Sequence, residues 1–97
     1  MNAKNFILLS KLCTQYKVEI SFFNNLKDIG LIEIKTIEQF QCVHQNEIYD
    51  IEKMVRMYHE LEVNIEGIDV VLNLLQKIEA LQNELISVKN RLRLYEN

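Results

Sequence analysis

Ninety-seven residues, 48% hydrophobic and 26% charged, suffice for one small folded domain and an extended helix. The formal net charge of −3 argues against a surface built for nucleic acid, because phosphate contacts dominate duplex affinity and need cations. No stretch is long enough to span a bilayer, and the apolar run Phe6–Leu9 is too short for a signal segment, so a cytoplasmic protein is expected.

The first expected helix covers Leu8 to Tyr16, with Leu9, Leu12, Cys13 and Tyr16 at helical spacing and Ser10 as a cap near its start. After a break at Lys17 and Val18, a second helix runs from Glu19 to Ile29, with Phe22, Phe23, Leu26 and Ile29 on one side and Gly30 as its stop. Two short helices joined by a tight turn make a helix-turn-helix unit. Leu31 to Ile37 then alternates with period two and is rich in β-branched residues. Gln39 to Val43 reads as the return strand, so a two-stranded wing follows the helix pair, its turn unspecified because it lacks Asn-Gly.

A further helix starts near Asn46, a candidate cap, and reaches about Leu61, with Ile48, Ile51, Val55 and Tyr58 on its apolar face. Asn64 is placed to cap the last helix, with Gly67 in its first turn. Ile65, Ile68, Val71, Leu72 and Leu75 would hold that helix to the domain. Beyond them runs a seam: Val71, Leu74, Ile78, Leu81, Leu85, Val88, Leu92 and Tyr95 follow spacings of 3, 4, 3, 4, 3, 4, 3. A heptad seam needs a partner helix, and a second copy is the economical one. The expected organisation is a winged helix-turn-helix domain over residues 1–70 and a coiled-coil arm over residues 71–97.

Chemistry is sparse. Cys13 and Cys42 fit no zinc spacing and are read as buried free thiols. His44 and His59 do not form a metal set: His59-Glu60 lacks the second His of a metalloprotease helix. With Gly30 and Gly67 as the two glycines, no phosphate loop exists. A non-enzyme without metal or cofactor is expected. Phe22 and Phe23 are adjacent, and helical neighbours point about 100° apart, so one of them is expected to face outward as a partner contact.

The ordered segments resemble the MerR-type winged-helix fold and, within it, the chaperone modulator CbpM family. The stretch Arg56-Met57-Tyr58-His59-Glu60-Leu61, then Gly67-Ile68 opening an aliphatic helix, is similar to an Arg-x-x-His-Glu-Leu…Gly-Ile pattern of that family. Phe23 to Ile32 is similar to its second-helix end, and Leu12-Cys13 to an apolar-Cys pair in its first helix. The resemblance spans roughly residues 7 to 94 and implies a mainly α, MerR-like fold. It also implies a modulator that binds the J-domain of a CbpA- or DnaJ-type co-chaperone and inhibits its stimulation of Hsp70. Arg56, His59 and Glu60 are the matched residues expected at that contact. An acidic set, Glu19, Asp28, Glu33, Glu52, Glu60 and Glu62, suits a basic helix of the partner.

The alternative is a MerR-type DNA-binding transcriptional regulator. Such proteins place an Arg in the second helix about six residues before the Gly-Leu step; Asn24 stands there. The wing carries Lys35 against Glu33 and Glu38. A third reading is a dimerising scaffold with another protein partner.

Overall fold

The computed structural model describes residues 3–96, so the outermost bounds of the two expected regions, residues 1–2 and 97, lie outside the described residues. The elements run β1 (Phe6–Leu8), α1 (Leu9–Tyr16), α2 (Ile20–Ile29), β2 (Lys35–Ile37), β3 (Phe40–His44), α3 (Ile48–Glu60) and α4 (Ile65–Glu96), with short 3-10 turns at Ala3–Asn5 and Gln45–Glu47. The fold is mainly helical, with a winged helix-turn-helix and a long terminal helix.

Helices α1 and α2 end as their sequences dictate. Lys17 takes left-handed geometry (φ 56°) and turns the chain out of α1. Gly30 (φ 90°) does the same for α2, and Leu31 N–H returns to the Leu26 carbonyl at 2.9 Å. Ser10 caps nothing. Leu8 is the N-cap of α1, and it lacks a side-chain acceptor. The chain enters α1 straight from a strand, which sets the helix start by itself.

That strand enlarges the expected two-stranded wing. The sheet has order β1-β3-β2, all antiparallel, with Phe6 opposite His44 and Leu8 opposite Cys42 on one edge, Ile37 opposite Phe40 on the other. The alternation over Leu31 to Ile37 places Ile32 inside and Ile34 half-buried, but only its last three residues enter the ladder. The wing turn is Glu38-Gln39, both left-handed (φ 50° and 72°). A two-residue turn of this hand matches strand twist, and side chains other than Gly or Asn occupy it at a cost of about 1–2 kcal/mol per residue.

Helix α3 begins after the 3-10 turn. His44 caps that turn, its Nδ1 accepting from the Asn46 amide at 3.1 Å, whereas α3 itself starts after Glu47 without a side-chain cap, so Asn46 donates a capping bond and does not cap the helix. At the start of α4, Asn64 Oδ1 accepts from the Gly67 N–H at 2.8 Å. A Cβ on Gly67 would lie 2.7 Å from Val63 Cγ1 and 3.1 Å from the capping Asn64 Oδ1, so any larger residue would have to push these side chains aside.

The core gathers Leu9 and Leu12 of α1, Phe22, Phe23 and Leu26 of α2, Val43 of β3, Ile51 and Met54 of α3, and Ile68 of α4. Val71 and Leu72 pack against its edge, whereas Leu75, expected to hold α4 down, is exposed. The helix has already left the domain by that point. From Leu74 to Tyr95 every seam position is solvent-facing in the single chain. No described helix is long and apolar enough to cross a membrane.

Candidate functional site

Helix α2 and the β2–β3 hairpin are the elements that a winged helix presents to a partner. The buried side of α2 is Phe22, Phe23 and Leu26, so its outward side carries Ser21, Asn24, Asn25, Lys27 and Asp28. Both phenylalanines are inside, at 4% and 0% exposure, and neither is available as a surface anchor. The apolar stripe of α2 is wide enough to take adjacent positions. Phe23 packs edge-on to Phe22 at 5.5 Å, and Tyr58 of α3 covers Phe22 at 4.7 Å. The aromatic that does face solvent on this side is Phe40, at 61% exposure, on the wing strand.

Charge on these elements is net acidic. Helix α2 carries Lys27 against Asp28, and the wing carries Lys35 against Glu33 and Glu38. Lys35 Nζ lies 3.9 Å from Glu33 Oε1, an exposed pair of small energetic weight. Asn24 on this helix is half-buried. A guanidinium makes two charge-assisted bonds to phosphate; an amide offers no charge.

The α3 residues Glu52, Arg56, His59 and Glu60 fall at i, i+4, i+7 and i+8, so one exposed stripe of the helix brings them together. Part of the stripe fastens α1 to α3. The Tyr16 hydroxyl donates to Glu52 Oε1 at 3.0 Å, and His59 Nε2 lies 3.1 Å from the Tyr16 carbonyl oxygen. Burial, then the Glu52 carboxylate, push the Tyr16 hydroxyl up to about 12, so it stays a donor. Arg56 Nε faces Glu60 Oε2 at 3.7 Å, an exposed i, i+4 pair of small energetic weight.

Beside the wing lies a recess of about 440 Å³ lined by Phe6, Glu33, Lys35, His44, Glu47 and Asp50. Glu47 Oε1 accepts from the Glu33 amide at 3.0 Å, while its Oε2 is buried with no hydrogen-bond partner. Burial raises the Glu47 carboxyl above its ordinary range, against the lowering effect of that amide bond. Cys13 and Cys42 are free, half-buried and buried, and burial pushes the Cys13 thiol up, away from the reactive thiolate. No metal-binding group of His, Cys, Asp and Glu forms among the described residues.

The family of MerR HTH regulatory proteins matches residues 7–90, from β1 through most of α4. The chain belongs to the MerR HTH regulatory family. No curated protein and no solved structure matches it. In this MerR-family chain α2 and the wing carry two cations, Lys27 and Lys35, against Asp28, Glu33 and Glu38.

Proposed function

We propose that this MerR-family protein is a non-enzymatic regulator of another protein: a dimer that binds the J-domain of a CbpA-type co-chaperone and lowers its stimulation of Hsp70. The observation that carries the reading is the charge of the outward elements. Ser21, Asn24, Asn25, Lys27 and Asp28 on α2, with Glu33, Lys35 and Glu38 on the wing, form a surface of slight net negative charge, which suits a basic helix better than a phosphate backbone. The Arg56-to-Glu60 pattern and Gly67-Ile68 support the J-domain as partner through their resemblance to CbpM chains.

The dimer rests on Val71, Leu74, Ile78, Leu81, Leu85, Val88 and Leu92. Leu74 to Leu92 leave about half or more of each seam side chain in water, and burying such a stripe on a second copy contributes roughly 25 cal/mol per Å². A dimer also doubles the binding surface, which raises the effective concentration toward a partner that offers more than one site.

Calorimetry with the J-domain of the host's CbpA-type protein tests the reading. Binding at micromolar or better affinity is expected, weakening with salt mainly through the association rate. No heat at about 100 µM, some hundredfold above a micromolar Kd, contradicts it. The second reading, a DNA-binding regulator, is favoured by the family match itself. It predicts that binding-site selection at about 0.15 M salt returns a defined palindrome, since MerR-like symmetry and phosphate contacts would survive there.

A further inference from the structure

A three-stranded sheet packed on helices has one face for the core and one for solvent, and the solvent face of such a sheet is ordinarily polar. Register assigns the faces. Val43, fully buried, and Ile7 point to the core. Their neighbours Phe6, Leu8, Lys35, Ile37, Phe40, Cys42 and His44 share the opposite face. Apart from Lys35 and His44, which line the recess beside Phe6, that outer face is apolar: Phe40 is 61% exposed and Leu8 41%, and Ile20 at the start of α2 borders the same surface at 44%. A shallow hollow between Phe6, Leu8, Ile37 and Phe40 opens at its centre. Its border is acidic. Glu38 closes one end, and Phe6 is shared with the recess that holds Glu33, Glu47 and Asp50, where Lys35 is the cation present and is paired with Glu33. An apolar centre with an acidic border is complementary to one kind of surface, an amphipathic element with an apolar ridge and flanking cations.

We infer that the outer face of the β1-β3-β2 sheet is a docking surface for a basic amphipathic helix of the partner protein, with Phe40 and Leu8 as its anchors and Glu38, Glu33 and Asp50 as its charged border. The assignment rests on the protein-binding reading above and moves the contact from α2, whose phenylalanines are buried, to the sheet. It differs from the α3 stripe, where Glu52 and His59 are engaged with Tyr16. Phe40 supplies the buried aromatic anchor that a tight interface needs, and the acids steer encounter.

Two measurements on the full-length chain decide it, both with the purified J-domain. In the wild type, amide shifts on titration are expected to be largest at Phe6–Leu8, Ile20 and Ile37–Cys42; largest shifts confined to Glu52–Glu60 or to α4 overturn the assignment. Phe40→Ser is expected to weaken binding by more than about tenfold while leaving the thermal transition in place, because the side chain is mostly in water. Unchanged affinity of Phe40→Ser beside a binding wild type overturns the surface alone. A wild type that does not bind overturns the J-domain reading and this surface with it. Concentration-dependent self-association that Phe40→Ser abolishes gives the face to a second copy and also overturns the proposal.

Discussion

Residues 65–72 and residues 74–95 lie on one unbroken helix, yet they solve opposite problems. The first two turns of α4 place Ile68 at zero exposure and lay Val71 and Leu72 against the core. The following turns carry as many apolar side chains and cover none of them. Hydrophobicity alone therefore does not tell where a helix is buried within its own chain. What separates the two regions is supply: α2 and α3 provide a surface for the first part and end before the second. A helix of 32 residues is about 48 Å long at 1.5 Å per residue, more than a small domain can cover.

The sharpest test of this contrast is to damage each region separately. Phe23→Ala removes a fully buried ring at the centre of the domain and is expected to cost about 3–5 kcal/mol, a large share of a small domain's stability. Chemical denaturation should show the domain transition lost or moved far toward low denaturant. Leu81→Asp with Leu85→Asp should leave that transition intact and abolish dimerisation, since each places an unpaired charge in a seam that must be dry. Sedimentation velocity reads the result; a wild type that is monomeric at tens of micromolar contradicts the partnered arm.

A smaller effect sits in the wing. Glu38→Asn with Gln39→Gly places residues suited to positive φ at a turn that already has that geometry, and is expected to stabilise the protein by about 1–2 kcal/mol. The midpoint of denaturation should rise with an unchanged slope. The smallest effect concerns Glu47. Its carboxyl is raised above the ordinary value of about 4.5 by burial, so the folded chain holds the proton to higher pH than the unfolded chain does. Stability from this group is fully present below the unfolded value and is lost as pH rises through the folded value. Glu47→Gln should therefore be slightly more stable than the wild type at pH 7, with the difference vanishing below about pH 4 where both are uncharged. Parallel melts at the two pH values check this.

The helices were legible because their signals are local: periodicity over Leu9–Tyr16 and Ile48–Glu60, Gly30 as a stop, Asn64 before Gly67. Strand β1 was not, because Phe6-Ile7-Leu8 is three apolar residues without alternation and becomes a strand only when β3 offers an edge. The same missing strand hid the outer sheet face, which exists only once β1 is paired. The adjacent Phe22 and Phe23 misled for a different reason. Tyr58, 36 positions on from Phe22, closes over that ring, and no local pattern announces that contact. Arg56, His59 and Glu60 gather on one stripe as their spacing requires, although the sequence did not announce that His59 reaches the Tyr16 carbonyl.

Steady-state Hsp70 ATPase, stimulated by the J-domain and titrated with this protein, tests the central claim most directly. Stimulation is expected to fall toward the unstimulated Hsp70 rate as the protein reaches and exceeds the J-domain concentration, with no effect on Hsp70 alone. A stimulated rate that stays constant through a tenfold excess of the folded, wild-type protein would contradict the account.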